Sequence, residues 1–396
     1  MINAEKNRLL ALKILNPSAR ELEHGLELHK NSLVFDAYGF MPLCGGCSSR
    51  TEELIAAGAS RDELHYADEM HHMVEGFHDP RIRKLLRETW DFGGVDCIFQ
   101  NCGEESNDAE LLLKRLGNYT RTIDYCSETY ERCAFPDRLE QIRARGNKAL
   151  YITTNGVPLP SHFTSAEENL HLIETFFNLG VRMMHLTYNR RNLIGDGCAE
   201  TANAGLSDFG RMTIAEMNRA GVIPDVAHSG QRTSLEAAQC SSKPVVASHT
   251  TAGKISSHYR AKCDEVIEAI KKTNGYVGIC CYPAFLQGRK NINALLDHID
   301  YVAKTFGVDH VAIGTDRCAT LSEYVWASNA PNNRKFWEQY WRAPGSGPND
   351  PEDFASMAWT NWPLFTVGLV MRGYSDSDIQ KIIGGNVMRV CRDSLA

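Results

Sequence analysis

Residues 221–250 read GVIPDVAHSGQRTSLEAAQCSSKPVVASHT, two short apolar runs on either side of a helix-forming stretch, and each run closes on a histidine, His228 or His249. A strand, a crossover helix and a second strand of this size make a parallel βαβ unit. The same alternation extends outward in both directions. Apolar or β-branched runs at 33–38, 94–100, 149–154, 181–187, 221–227, 244–248, 276–281 and 310–315 alternate with long helical patterns. Gly or Pro stands before several of them, as at helix-to-strand loops. Eight strand–helix units without a glycine-rich phosphate loop predict a closed (β/α)8 TIM barrel rather than a doubly wound sheet.

No composition shift, internal repeat or low-complexity tract divides the chain, so residues 1–396 are expected to form one barrel domain. Residues 1–31 read as an N-terminal amphipathic helical extension. Residues 320–355 read as a long loop after the last strand, with Trp337 and Trp341 in its Gly/Pro/Asn-rich part, 330–353.

The formal charge of −7 comes without any Lys/Arg block, which argues against nucleic acid and anionic membrane as partners. No apolar run reaches the roughly 18 residues of a spanning helix, and the mixed-charge N-terminus is unlike a signal sequence. A cytoplasmic protein with a small-molecule substrate is expected, and a homodimer is an arrangement open to it. Thirteen scattered cysteines are unlike a disulfide scaffold and read as reduced thiols. Cys44 and Cys47 (CGGC), Cys97 and Cys102, and Cys280, Cys281 and Cys318 lie near strand ends, where they are either soft metal ligands or ordinary buried thiols.

A barrel carries its site at the C-terminal ends of its strands. There the fifth run gives His228, the sixth His249 and the eighth, ending GTDR, Asp316. Two imidazoles and a carboxylate at one mouth suit a divalent metal, or a ligand pair with a general base. Histidines such as His71, His72 and His162 fall in helical or loop segments and read as solvated. Ser207 reads as a helix N-cap.

The stretch from Leu186 to Ala252, together with GVDHVAIGTD and GGNVMRV near the C-terminus, resembles the membrane (renal) dipeptidase family of the amidohydrolase superfamily. The resemblance implies the same barrel and a mouth holding two zinc ions. Strand 1 of that family supplies His-x-Asp, strand 3 a bridging Glu, and strands 5 and 6 two histidines. His228 and His249 match those histidines, Asp316 the acid that takes a proton from the attacking water, and Arg260 the arginine that meets the substrate's carboxylate. The strand 1 positions hold Tyr38 and Phe40, and Thr154 stands at the bridging carboxylate. The substrate-binding histidine of strand 4 is Tyr188.

These replacements remove the charge and lone pairs that hold two dications together, which leaves one zinc ion at most, on His228 and His249 with Asp316 as a candidate third ligand. The expected function is hydrolysis of a dipeptide-like or small carboxylate-bearing amide. Two alternatives stay open. One is a metal-free enzyme using Tyr38, Tyr188, the histidines and Asp316 as acid–base groups. The other is a catalytically silent, ligand-binding homologue.

Overall fold

The computed structural model describes residues 3–45, 49–103, 107–160, 162, 164–321, 341 and 350–395. Each of the eight runs contains a strand: β1 Phe35–Gly39, β2 Cys97–Asn101, β4 Lys148–Thr154, β5 Val181–His185, β6 Ile223–Asp225, β7 Ala247–Thr250, β8 Val277–Ile279 and β9 Val311–Ile313. A short further strand, β3 Tyr130–Arg132, pairs with the start of β4. All the pairings between these strands are parallel, in the orders β1-β2-β4-β5-β6 and β7-β8-β9. A bridge between Asp225 and Val246 joins the two groups. The ring closes where Asp316 N–H donates to the Tyr38 carbonyl at 2.9 Å and Phe40 N–H to the Arg317 carbonyl at 3.0 Å. The fold is the (β/α)8 barrel, with helices outside.

Two layers of apolar packing hold it. Phe35, Phe99, Tyr151, Met183, Ile223, Val246, Tyr276 and Ala312 point inward and fill the barrel. Each large side chain of this kind contributes about 1.5–3 kcal/mol by leaving water. The last helix, Asn386–Leu395, adds Val387, Met388, Val390 and Cys391 to the same cluster and seals the N-terminal end. A site therefore opens at the C-terminal end only. The residues of opposite parity, such as Leu150, Ile152, Met184 and Val226, pack against the helices.

Close approach inside the barrel requires glycine at two places. A Cβ at Gly278 or at Gly314 would stand 1.9 Å from the Ser248 carbonyl oxygen, so both positions must be bare for β7 to lie against β8 and β9.

The N-terminal extension is two helices rather than one, Ala4–Leu15 and Ala19–Asn31. Asn16 takes the left-handed conformation (φ 53°) that ends the first. Pro17 cannot continue it, and Ser18 starts the second through a reciprocal capping box with Glu21. The second helix packs on the apolar helix Trp362–Met371. Ser207 caps the helix Asp208–Ala220, as expected. Cys47, Trp337 and most of the 330–353 segment lie outside the described residues.

Candidate active site

Three histidines, not two, meet at the mouth. His228 and His249 follow β6 and lie in β7, and one carboxylate fixes both. Asp225 Oδ1 accepts from Ala227 N–H at 2.9 Å and from Ser248 N–H at 3.0 Å, the residues just before each histidine. The two imidazoles face each other, with Nε2 atoms 2.9 Å apart. Their far nitrogens are anchored: His228 Nδ1 is 2.8 Å from Asn189 Oδ1, and His249 Nδ1 is 2.8 Å from Ser248 Oγ. The third is His185, at the end of β5. Its Nε2 lies 2.7 Å from Asp225 Oδ2, an ion-pair distance off the line of a good hydrogen bond, and its Nδ1 lies 3.1 Å from Asn155 Oδ1. One ligating atom from each of the three falls within 4.8 Å of the others, and no cysteine or aspartate joins such a cluster among the described residues.

Sequence reasoning passed over His185 because it sits inside an apolar run. The signal was its parity: it stands two residues beyond Met183, which fills the barrel. Parity also separates Thr154 from its neighbour. Thr154 shares the side of Leu150 and Ile152 and turns its hydroxyl to the Gly156 carbonyl at 2.8 Å. Asn155, on the parity of Tyr151, is the residue that enters the mouth, where its Oδ1 accepts from Tyr38 OH at 2.7 Å.

The tyrosines cover the imidazoles. Tyr38 is buried and stacks on His249 at 3.8 Å between ring centres, and the half-buried Tyr188 stacks on His228 at 4.2 Å. Phe40 lies edge-on to Tyr38 at 6.1 Å. Trp341 reaches the same place, 6.4 Å from His228 and stacked on Phe285 at 5.7 Å.

Arg260 is fully buried behind the two histidines. Its guanidinium donates to the carbonyls of Ala227 and His249, which leaves Nε without a hydrogen-bond partner among the described residues. Lys262, equally buried, donates to the Ser229 carbonyl at 2.6 Å and to Ser234 Oγ at 3.0 Å. Burial first, then the charges of Arg260 and Lys262, holds His228 and His249 well below the usual histidine range, so both are neutral. Burial alone would raise Asp225, but His185 and the Ser248 donors bring it below its ordinary value.

Asp316 stands at the rim in a left-handed backbone conformation (φ 52°), partly open yet crowded by protein. That crowding pushes its carboxyl up to about 6, against the pull of Arg260, His185 and Arg317. Cys44, Cys97, Cys102, Cys280 and Cys281 are buried, and Cys318 is half-buried. Burial raises the thiols of Cys97, Cys102, Cys280, Cys281 and Cys318, the behaviour of inert packing residues.

Residues 75–321, more than half of the chain, match the family described as membrane dipeptidase (peptidase family M19). The chain belongs to that family. It is 23% identical over 392 residues to dipeptidase tcpJ of Claviceps purpurea, covering 91% of this chain and 84% of that one. Among solved structures, an amidohydrolase from Pseudomonas aeruginosa superposes with a TM-score of 0.70 at 24% identity, over 93% of this chain and 98% of the other. A metallo peptidase from Rhodobacter sphaeroides, liganded with a phosphinate mimic of L-Ala-D-Ala, gives 0.64 at 18% identity, over 92% and 100%. These two likenesses support the fold.

The residues present do not fit a two-zinc centre. Two of the positions that resemble the family's ligands hold Tyr38 and Phe40, and β4 offers the amide of Asn155 and the hydroxyl of Thr154 in place of a carboxylate. Neither side chain carries the charge needed to bridge two dications.

Proposed function

We propose that this membrane dipeptidase family member hydrolyses a dipeptide-like or small carboxylate-bearing amide with at most one metal ion. The observation that supports it is the pairing of two neutral imidazoles, Nε2 atoms 2.9 Å apart, with an acid at the same mouth whose carboxylate is free of hydrogen-bond partners among the described residues. A single ion, when bound, supplies Lewis-acid polarisation of a carbonyl or a water of lowered pKa. Asp316, ionised above about pH 6, takes a proton from water and returns it to the departing amine. Tyr188, half-buried over His228, is the tyrosine that donates to the developing oxyanion. Tyr38, held by Asn155, keeps His249 in place. Arg260 offers a carboxylate its charge and the N–H groups that it does not give to the Ala227 and His249 carbonyls.

A metal-free reading has one observation of its own. Tyr38 and Tyr188 lie flat on His249 and His228, and the two imidazoles satisfy each other by the Nε2 contact. A panel of dipeptides and acylated amino acids, assayed with one equivalent of zinc and with chelator, separates the two. Turnover that survives chelation supports the metal-free route, and no turnover in either arm removes the hydrolase reading.

A further inference from the structure

We propose that His185, His228 and His249 form a mononuclear three-histidine zinc site, with a ligand on β5 taking the place of those missing from β1 and β4. This deepens the single-metal reading above and rests on it for the number of ions, not for the substrate.

The spacing of the three rings fits such a site. With a Zn–N distance near 2.0–2.1 Å and tetrahedral angles, three imidazole ring centres stand roughly 5.2 Å apart. In this chain the separations are 5.1 Å for His185 and His228, 5.4 Å for His185 and His249, and 4.9 Å for His228 and His249. The planes cross at 67°, 67° and 61°, and one ring nitrogen of each residue lies within 4.8 Å of the others. The 2.9 Å between the Nε2 atoms of His228 and His249 is close to the roughly 3.3 Å edge of a zinc tetrahedron.

The surroundings carry the second half of the argument. A ligating histidine almost always gives its other ring nitrogen to a carboxylate, carbonyl or hydroxyl, which fixes tautomer and ring orientation. Two rings have such a hydrogen-bonded partner: His228 Nδ1 has the Asn189 amide oxygen and His249 Nδ1 has Ser248 Oγ. The third, His185, has the Asp225 carboxylate 2.7 Å from its Nε2, at ion-pair distance but off the line of a hydrogen bond. That leaves His185 Nδ1 and the two Nε2 atoms for the ion. Asp225 is central to the arrangement, because its other oxygen holds the amides before His228 and His249. His185 Nδ1 now faces the Asn155 amide oxygen at 3.1 Å, a contact that a bound ion would take over. Three imidazole ligands also leave a coordination position for water or substrate, the pattern of catalytic rather than structural zinc.

The test is calorimetric titration of chelator-treated full-length protein with zinc, and with cobalt as a visible probe. Wild type should bind one ion per chain and give the intense absorption of tetrahedral cobalt. His185→Ala should weaken zinc binding by at least about 100-fold, and Asp225→Asn by about 10- to 100-fold. Phe40→Ala, at a position that resembles a lost family ligand, should leave zinc affinity unchanged. X-ray absorption on zinc-loaded wild type counts imidazoles directly and keeps the proposal testable if a variant does not fold: three supports it and two overturns it. Binding of two ions, binding of none, or a folded His185→Ala that holds zinc as tightly as wild type also overturns it. One tightly bound ion without amide hydrolysis would leave this site standing and remove the proposed substrate class instead.

Discussion

Tyr38 lies flat against His249, with ring centres 3.8 Å apart and planes 16° from parallel, while its hydroxyl donates to Asn155 at 2.7 Å. The position that resembles a metal-ligating histidine of the family thus holds a side chain that props a remaining histidine from the side. Tyr38→His should not bring back a second zinc, because Phe40 and Asn155 still supply no carboxylate. Zinc titration should give one ion or fewer per chain, and the lost phenol contact should cost about 1 kcal/mol in urea unfolding. Two ions in this single variant would contradict the reading of the β1 and β4 positions.

Asp316 is the proposed base, and its carboxyl is raised to about 6 by burial. The ionised form accepts the proton, so kcat/KM on any hydrolysed amide should fall as pH drops through about 6. Asp316→Asn should lower kcat/KM by about 10²- to 10⁴-fold and abolish that acid limb. A pH–rate profile that keeps the limb in the variant assigns it to another group.

Arg260 is committed to two backbone carbonyls and only partly to the mouth. Arg260→Ala strips the Ala227 and His249 carbonyls of their side-chain donor and should cost about 3 kcal/mol of stability. If its charge also meets the substrate's carboxylate, KM should rise for a carboxylate-bearing substrate and not for the matching primary amide. An equal change for both, with the same loss of stability, would make Arg260 a purely structural clamp.

The barrel was legible because its strands are apolar runs set off by glycine and proline, and parallel strands buried on both faces leave that signature. β3 was not, since Tyr130–Arg132 is three residues beside a helical pattern and is held only by the start of β4. Within the site, the residues that close their apolar runs could be read, namely His228, His249 and Asp316. His185 could not, because the run 181–187 continues through Leu186 and Thr187 although β5 ends on the histidine. Asn155 was obscured by a one-residue shift, which in a strand exchanges the inner and outer faces. Lys262 looks like a solvated charge in sequence, and Arg260 stood out only through the family resemblance. Their burial depends on carbonyls and hydroxyls from Ala227, Ser229, Ser234 and His249, which arrive only through the fold.

Two buried groups that are not part of the histidine cluster should tilt stability against pH in opposite senses. Asp36 has no cation among its hydrogen-bond partners and accepts from Thr315, Tyr38 and Trp359, yet burial raises its carboxyl from 3.8 to about 7. Between those values the folded chain holds a proton that the unfolded chain has lost, so this group makes stability fall as pH rises from about 4 to 7. Lys262 is lowered from 10.5 to about 7, by burial first and then by Arg260. Between about 7 and 10.5 the unfolded chain holds the proton instead, and stability rises with pH. Urea unfolding across this range should therefore show Asp36→Asn losing the downward slope below about pH 7 and Lys262→Met losing the upward slope above it. The Met variant should otherwise be tolerated. It removes a buried charge whose partners, a carbonyl and a hydroxyl, are neutral, and Ser234 Oγ keeps its bond to the Gly230 carbonyl at 2.8 Å. A wild-type slope above pH 7 that persists unchanged in Lys262→Met would show that Lys262 keeps its ordinary proton affinity inside the fold.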